Sequence, residues 1–345
     1  MSAKSIMDAL DRTKYDVIPL GITKEGKWLP SADAMTKLEA LAQEARLVDE
    51  PPQDAPRQLL ALGRELVPGI RDASIPLVDV IFPVLHGPYG EDGTIQGLLE
   101  LADIPYVGAG VLGSALAMDK AAMKSVFRAE GLPIADYLLV LRWDWEQNPA
   151  KVLQRVEDRF DYPCFVKPAN LGSSVGISKV HEAAELAPAL DLAARYDRRI
   201  LVEQAVNARE IECSVLGNDH PIASVPGEIA PKREFYDYVA KYYDEETELI
   251  IPADLPPETS AEVQELAVRA YVALDCAGMA RADFFVDRDS DQVYVNELNT
   301  IPGFTSVSMY PKLWEASGIP YPELVDRLIE LALERFEDKA RTLTS

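Results

Sequence analysis

The sequence predicts a mixed α/β (α+β) protein in which an N-terminal domain with a parallel sheet precedes two α+β subdomains. Three observations predict this fold class. A nearly continuous apolar run at 77–85 leads into a glycine-rich loop and a helix, which is typical of a strand buried on both faces of a parallel sheet. Strands and helices then alternate from residue 119 onward. Near the C-terminus, two apolar runs at 282–286 and 292–298 flank a polar segment, which indicates an antiparallel hairpin.

The first domain, predicted at 1–118, opens on an amphipathic helix at 2–11. A strand at 15–22 and a turn at 24–27 follow. After the apolar run, the pattern predicts a helix at 94–102. Strand, glycine-rich loop and helix form an α/β unit, and ligands bind at the carboxyl ends of such strands.

The central subdomain is predicted at 119–205. Its first helix ends at Gly131, before Pro133, which is a typical helix stop. The predicted elements are, in order, helix 119–130, strand 137–141, helix 149–160, strand 162–168, strand 177–180, helix 181–194 and strand 199–206.

The C-terminal subdomain is predicted at 206–345. The predicted elements are strands 209–217 and 221–226, a loop at 229–248, a helix at 259–275, the hairpin and a terminal helix at 321–336. A loop of this length is usually a lid or a binding loop, or else disordered. Its interleaved basic and aromatic residues, among them Lys241 and Tyr242, favour a lid.

Composition argues against several classes of partner. The formal net charge of −23 disfavours nucleic acid and anionic membrane surfaces. No apolar run is long enough to span a membrane and no signal peptide is recognisable, so we expect a cytoplasmic protein. Cys164, Cys213 and Cys276 lie in apolar runs without a CxxC pair, which favours buried free thiols over zinc ligands.

The hairpin carries the first candidate site. Side chains alternate between the faces of a strand, so a turn near residue 290 puts Asp283 opposite Glu297, with Arg281 and Asn299 on the same face. Carboxylates this close repel each other, and a hard cation such as Mg²⁺ explains their juxtaposition. From these residues alone, an ordinary hairpin with a polar outer face explains the pattern equally well.

A second candidate is the loop at 169–176, which follows Lys167 at the end of a strand. With its glycines and with Ser173 and Ser174, the loop offers backbone N–H groups and hydroxyls that can close over phosphates. The lysine precedes the glycines, so the segment is not a Walker A motif. The alternative is a plain turn between two strands.

Three further positions have both a functional and a structural interpretation. His86 begins a glycine-rich loop in which the backbone can approach a ligand closely, or it is structural. Lys120 contacts phosphates, or it is a solvated surface lysine. The strand end at 203–206 offers backbone groups to an adenine, with Glu203 or Glu210 for a ribose, or it is only the edge of a sheet.

Six motifs, taken in chain order, carry a family resemblance. They are HGPYGEDGTIQG at 86–97, MDK at 118–120, FVKP at 165–168 with GSSVG at 172–176, YDY at 236–238 with KY at 241–242, RAD at 281–283, and NELNTIPG at 296–303. Together they resemble the D-alanine–D-alanine ligase family of the ATP-grasp superfamily. Because the six motifs span nearly the whole chain in register, the resemblance is very specific.

The resemblance implies an ATP-grasp fold, with ATP between the central and C-terminal subdomains. ATP would phosphorylate the carboxylate of a first D-alanine, and the amine of a second would displace phosphate through a tetrahedral intermediate, giving D-alanyl-D-alanine for peptidoglycan. General chemistry agrees, because a carboxylate is a poor electrophile until it becomes a mixed anhydride. The implied partners are D-alanine, ATP, two Mg²⁺ ions or Mn²⁺, and a second subunit in a homodimer.

The resemblance also implies roles for the motif residues. The metal ligands would be Asp283, Glu297 and Asn299. The ATP-binding residues would be Lys120, Lys167, Ser173, Ser174, Glu203, Gln204, Ala205, Val206, Glu210, Lys241, Asn296 and Glu297. The oxyanion hole would be formed by Arg281 and the N–H group of Gly303.

The remaining implied roles concern the two amino-acid subsites. Ser173 and Tyr242 would belong to a hydrogen-bonded network that closes the lid. His86 would lie near the first D-alanine, and Ser308 with Met309 near the carboxylate of the second. Tyr242 favours an amine acceptor, because D-lactate-using relatives depart in this loop. Ligation of D-alanine to D-lactate or D-serine is therefore the second alternative.

The N-terminus departs from the family pattern. Relatives begin with a strand, a glycine-rich turn and a Glu-His-Glu-Val-Ser type motif, whose glutamate engages the first D-alanine. The chain begins with MSAKS, just beyond that motif. We therefore expect the acidic anchor to be absent, through a misplaced start codon or in a truncated form that binds nucleotide with impaired catalysis.

Overall fold

The computed structural model describes residues 1–22, 28–30, 78–172, 175–230, 248–305 and 307–343. Within these residues, helices and mostly antiparallel strands form a mixed α/β protein, which confirms the predicted fold class. One antiparallel sheet lies in the central part of the chain and another in the C-terminal part. These two sheets carry most of the described residues that the sequence assigns to a site.

The N-terminal part consists of short elements. They are α1 (Ser2–Ala9), β1 (Leu20–Ile22), β2 (Trp28–Pro30), α2 (Thr94–Ala102) and α3 (Val111–Met118). The predicted helix at 94–102 is confirmed, and the one predicted at 2–11 ends two residues earlier. The strand predicted at 15–22 forms only over its last three residues, because these are the ones that pair with β2.

The apolar run predicted as a strand buried on both faces is instead a single bridge in its described part, 78–85. Only Ile81 pairs, in parallel with Tyr106, and its N–H donates to the Pro105 carbonyl at 2.9 Å. Alternate side chains still pack on two sides: Val80, Phe82 and Val84 against the C-terminal core, Ile81 and Leu85 against α2. Without further pairing partners among the described residues, the segment is extended but forms no ladder.

The central part folds around a four-stranded antiparallel sheet of order β3-β6-β4-β5. Its elements are α4 (Lys120–Ala129), β3 (Tyr137–Leu141), α5 (Arg142–Gln147), α6 (Pro149–Glu157), β4 (Cys164–Pro168), β5 (Ser178–Val180), α7 (Ala183–Tyr196) and β6 (Arg199–Gln204). Helix α4 starts where Asp119 accepts hydrogen bonds from the N–H groups of Ala121 and Ala122, and it ends before Gly131, whose φ is +67°. The N-terminus of α4 is therefore fixed beside the sheet.

The C-terminal part contains a larger antiparallel sheet of order β10-β9-β7-β11-β12, with β8 paired to β7. Its elements are β7 (Ala208–Gly217), β8 (Ile222–Ala223), β9 (Gly227–Ala230), β10 (Glu248–Ile250), α8 (Pro257–Ala273), β11 (Gly278–Asp287), β12 (Val293–Asn299), α9 (Met309–Ala316) and α10 (Tyr321–Ala340). Helix α8 packs on one face of this sheet, where it forms a core with residues such as Phe284 and Val295. On the opposite face, Leu216 and Met279 pack against α9 and α10, and the rest of that face carries polar side chains such as Glu212 and Asp283.

The predicted loop at 229–248 is shorter than expected at both ends. Residues 229 and 230 belong to β9, and residue 248 opens β10, which pairs with β9. The rest of the predicted lid, 231–247, lies outside the described residues. Strand β9 pairs with both β7 and β10, so the residues that flank the predicted lid belong to the C-terminal sheet.

The three cysteines are buried free thiols, as predicted. Burial raises the pKa of Cys164 to about 11, so this thiol stays protonated near neutral pH. Among the described residues, no helix combines the length and the apolar character that crossing a membrane requires.

Two glycines of the loop and helix after His86 differ in what surrounds them. A Cβ on Gly90 would lie 2.2 Å from the carbonyl oxygen of Leu85, whereas a Cβ on Gly97, inside α2, would meet no heavy atom within 4 Å. We expect Gly90→Ala to lower the free energy of unfolding by about 1–3 kcal/mol. Gly97→Ala, its control, should raise it by roughly 0.5–1 kcal/mol. Urea unfolding measures both, and equal effects would contradict the close packing at Gly90.

Candidate active site

The polar face of the C-terminal sheet brings three carboxylates into one row. Asp283 on β11 pairs with Glu297 on β12 and with Glu212 on β7, so the three side chains share a face across neighbouring strands. Arg281 and Asn299 form the adjoining pair on the same face. The register predicted for the hairpin is thus confirmed. Glu212 was not predicted, because its place in the row depends on the pairing of β7 with β11, which are about 70 residues apart in the chain.

The carboxylates hold the guanidinium of Arg281 firmly. Its Nε and one terminal nitrogen donate to the two oxygens of Asp283, each at 2.7 Å, and Nε lies 3.1 Å from Glu212 Oε2. The amide nitrogen of Asn299 donates to Asp283 at 2.9 Å. Burial would lower the pKa of Arg281, but the two carboxylates outweigh it and hold that pKa above its usual value. Arg281 is therefore a fixed, buried cation.

A β-bulge at Asn296 allows β12 to serve both the core and the site. Asp283 pairs with Glu297, but the next residue, Phe284, pairs with Val295, so Asn296 is the extra residue. Val293 and Val295 consequently face the core together with Leu298, while Glu297 and Asn299 face the site. Strict alternation would put Val295 on the polar face. The spacing of three between Val295 and Leu298 is the sequence signal that could have revealed the bulge.

A second charged cluster lies on the central sheet. Glu203 on β6 and Lys167 on the adjacent β4 are 2.5 Å apart, and Lys124 on α4 is 2.5 Å from the other oxygen of Glu203. Burial by itself would raise the pKa of Glu203, but the two lysines outweigh burial and lower it to about 2. Lys124 was not predicted. Its signal is the spacing of four from Lys120, which puts both lysines on one side of a helix.

Lys120 joins the two clusters. Its ammonium lies 3.1 Å from Glu297 Oε2 and donates to the carbonyl oxygen of Leu171 at 3.0 Å. Glu297 belongs to the C-terminal sheet, and Leu171 lies in the glycine-containing loop after Lys167. Lys120 is partly buried and paired, so the solvated-surface interpretation does not hold for it. The two sheets thus face one continuous polar site.

The residues predicted for the adenine and ribose lie around the ends of β6 and β7. Strand β6 ends at Gln204, which is exposed, while Ala205 and Val206 follow it half-buried. The carboxylate of Glu203 is enclosed by the lysines. Glu210 is half-buried on β7 and pairs with Phe285 and Ile229. Of the two glutamates proposed for a ribose, Glu210 is therefore the more open.

His86 and Gly303 meet at the turn that follows β12. His86 Nδ1 lies 3.1 Å from the carbonyl oxygen of Ile301, and the side chain is exposed. A Cβ on Gly303 would lie 2.8 Å from Ser308 Oγ, so a larger residue here would have to displace the Ser308 side chain. Ser308 Oγ also accepts the N–H of Thr305 at 3.0 Å. The structure thus brings three residues predicted for the amino-acid subsites to one turn.

Five other residues predicted for the site contribute no side chain to it within the described part of the chain. Met309 is buried in a small core with Ile229 and Leu313, so its side chain serves packing. Four residues lie outside the described part of the chain, namely Ser173, Ser174, Lys241 and Tyr242. Their predicted roles stay predictions.

The donors on the C-terminal sheet fit a hard divalent cation. Carboxylate oxygens of Asp283 and Glu297 and the amide oxygen of Asn299 are ligands of the type that Mg²⁺ prefers. Within the described residues, the three carboxylates of the row, Glu212 included, form ion pairs with Arg281 and Lys120. In the described part of the chain, no three side chains of His, Cys, Asp or Glu lie close enough together to form a metal site. A metal ion bound here would therefore also need the amide oxygen of Asn299 or water as a ligand.

The buried charge of Glu203 gives stability a pH dependence. Its pKa of about 2 lies below the usual 4.5, so its contribution is present above pH 4.5 and is lost as the pH falls toward 2. We expect Glu203→Gln to destabilise the protein at pH 6 and the difference from wild type to shrink at pH 3. Urea unfolding at both pH values measures this. Glu323→Gln on the exposed side of α10 is the control, with a change below about 0.5 kcal/mol at each pH. A difference that grows on acidification would contradict the assigned direction.

Two family models match the chain. The one described as D-ala D-ala ligase N-terminus matches residues 1–109, and the one described as D-ala D-ala ligase C-terminus matches residues 126–330. A D-alanine--D-alanine ligase of Heliobacterium modesticaldum is 52% identical over 347 residues, covering 99% of this chain and 92% of that protein. The corresponding ligase of Caldicellulosiruptor bescii is 52% identical over 339 residues, covering 98% and 92%.

Two solved structures are similar over nearly the whole chain. The D-alanine-D-alanine ligase from Coxiella burnetii is 37% identical with a TM-score of 0.77, covering 99% of this chain and 90% of its own. The VanG D-Ala:D-Ser ligase from Enterococcus faecalis is 34% identical with a TM-score of 0.77, covering 96% and 94%.

Proposed function

Because the chain belongs to the D-alanine–D-alanine ligase family, we propose that it joins two D-alanines to D-alanyl-D-alanine with ATP, through a D-alanyl phosphate. The observation that carries this proposal is the continuous polar site between the two sheets. It combines a row of carboxylates, a buried arginine and lysines from the other subdomain. Such a site can hold a polyphosphate and its metal at one end of the cleft and stabilise a developing oxyanion at the other.

We propose that Asp283, Glu297 and Asn299 hold divalent metal, as two Mg²⁺ ions or Mn²⁺. The metal would neutralise charge on the nucleotide phosphates when bound. Lys120 and Lys167 would bind the phosphates, together with Ser173, Ser174 and Lys241. The bulge residue Asn296 would lie beside them. Backbone groups of residues 203–206 and the side chain of Glu210 would bind the adenosine.

The acyl-transfer end of the site is proposed around the turn after β12. Arg281 is already held as a cation by two carboxylates, so it can stabilise an oxyanion without being reoriented by substrate. The N–H group of Gly303 would be the second donor. His86 would contact the first D-alanine, and Ser308, beside Met309, the carboxylate of the second. Ser173 and Tyr242 would close the lid over them and exclude water.

The experiment is a phosphate-release assay with the purified chain, ATP, Mg²⁺ and D-alanine. We expect release that depends on D-alanine, together with D-alanyl-D-alanine detected by mass spectrometry. L-alanine is the matched control and should give no dipeptide. ATP binding without any D-alanine-dependent release would refute the proposal and support the alternative of a nucleotide-binding form with impaired catalysis.

A second candidate function is ligation of D-alanine to D-serine or D-lactate, favoured by the likeness to the VanG D-Ala:D-Ser ligase. An equimolar mixture of D-alanine, D-serine and D-lactate separates the possibilities. We expect D-alanyl-D-alanine as the main product. A predominance of either mixed product would make the second candidate the better one.

We also propose the predicted division into 1–118, 119–205 and 206–345, a homodimer and a cytoplasmic location, where ATP and peptidoglycan precursors meet. The homodimer rests on the family resemblance. Analytical ultracentrifugation measures the oligomeric state, and a monomer at micromolar concentration would contradict it.

A further inference from the structure

The carboxylate of Glu203 sits between two lysines in the interior of the central part. Glu203 and Lys124 each expose only 1% of their side chain, and Lys167 exposes 10%. One anion faces two cations, so this triad carries one positive charge in excess. Lys167 is the most exposed member of the triad, so the excess positive charge lies next to the polar site.

Lys120 and Lys124 on α4 contact different parts of the molecule. Lys120, at the start of the helix, reaches Glu297 and the carbonyl of Leu171 at the surface of the site. Lys124, one turn later, points to Glu203 in the interior. Asp119 caps the helix and also pairs with Arg199, so the helix start cannot shift easily. The position of Lys124 against Glu203 is therefore fixed by the fold.

Two anionic groups compete for the ammonium of Lys167. In the structure this ammonium contacts the carboxylate of Glu203, whereas in the proposed function it binds nucleotide phosphates. If Lys167 were the only partner of Glu203, moving its ammonium to a phosphate would leave a buried carboxylate without a counter-ion, which is strongly unfavourable. Lys124 removes this penalty because it keeps one oxygen of Glu203 paired.

We propose, resting on the proposed function, that Lys124 is a positioning residue for the nucleotide: it neutralises Glu203 so that Lys167 can release that carboxylate and bind phosphate. Lys124 itself does not touch the nucleotide. Its effect passes through Glu203 to Lys167. A lysine that only balanced a buried charge would affect stability, but it would not change how firmly Lys167 is held.

The test measures binding of the non-hydrolysable ATP analogue AMP-PNP by calorimetry, without D-alanine. In Lys124→Met, Lys167 is the one cation left on Glu203 among the described residues, and we expect the dissociation constant to rise about tenfold or more, as for coupled buried charges. Lys124→Arg keeps the charge and should stay within about threefold of wild type. Lys151→Met on the exposed side of α6 is the matched control and should bind like wild type.

A double variant distinguishes positioning from a purely structural role. Lys124→Met with Glu203→Gln removes both charges, so Lys167 is free again, and affinity should recover at least about threefold relative to Lys124→Met alone. No loss in Lys124→Met, or a double variant that binds no better, overturns the proposal. Should Lys124→Met fail to fold by circular dichroism, Lys124→Gln takes its place in both comparisons.

Kinetics keep this inference distinct from the proposed function. In the ligase assay, Lys124→Met should raise the KM for ATP far more than it lowers kcat. AMP-PNP binding requires neither D-alanine nor turnover. A wild-type chain that binds AMP-PNP but forms no dipeptide would therefore refute the proposed function while the binding comparison still decides the role of Lys124.

Discussion

Replacing Glu297 with alanine is expected to lower kcat for D-alanine-dependent phosphate release by at least about 10³-fold, because a bound metal supplies several kcal/mol of transition-state stabilisation. Glu297 pairs with Asp283 across the hairpin and also holds Lys120 at 3.1 Å. Its loss removes a proposed metal ligand and releases a lysine proposed for the phosphates. Initial rates at saturating ATP, D-alanine and Mg²⁺ measure the effect.

The control for this variant is Glu323→Ala, which removes an exposed glutamate paired with Arg327 on α10. It should leave kcat unchanged and alter the free energy of unfolding by less than about 0.5 kcal/mol. Metal binding gives an independent readout: Mn²⁺ titrated by electron paramagnetic resonance should bind wild type and not Glu297→Ala. Near-normal activity or normal Mn²⁺ binding of Glu297→Ala would refute the metal assignment.

The sequence was sufficient to predict the hairpin because its turn is encoded locally. Asp287 accepts hydrogen bonds from the N–H groups of Asp289 and Ser290, and Asp291 adopts a φ of +57°. A polar turn of this kind fixes the pairing of the residues next to it, such as Val286 with Val293. The bulge at Asn296 then shifts the register by one residue, so that Asp283 pairs with Glu297, as a turn centred near residue 290 predicts.

Residues brought in by distant pairing could not be predicted in the same way. Glu212 joins the row of carboxylates only through the β7–β11 ladder, and Lys124 meets Glu203 only because α4 packs beside β6. For the apolar run at 77–85, the sequence predicts burial correctly but hydrogen-bonded pairing incorrectly. Its composition predicts burial on two sides, which is observed for several side chains, but hydrogen-bonded pairing depends on neighbours that composition does not specify.

Both clusters follow one electrostatic rule. Among the described residues, each cation proposed to contact the substrates is already held by a carboxylate: Arg281 by Asp283 and Glu212, Lys120 by Glu297, and Lys167 by Glu203. Such pairing keeps the charges in place before substrates arrive, so little reorganisation is needed during the reaction. It also means that a variant lacking one of these cations removes an ion pair from a carboxylate of the site.

Arg281→Ala is a variant in which an effect on the reaction and an effect on stability can be separated. We expect kcat to fall by about 10²–10³-fold at nearly unchanged KM if Arg281 is an oxyanion donor. We also expect the free energy of unfolding to fall by about 3–5 kcal/mol, because Asp283 and Glu212 lose the cation between them. Initial rates and urea unfolding measure the two quantities.

Adding Glu212→Gln to Arg281→Ala tells the two causes apart. Removing the charge of Glu212 should restore part of the lost stability, because this carboxylate no longer has its ion pair with Arg281. It should not restore kcat, since no donor for the oxyanion is regained. If kcat recovered together with stability, Arg281 would serve only to neutralise the carboxylate row. If Arg281→Ala changed KM alone, the guanidinium would bind the ground state and not the transition state.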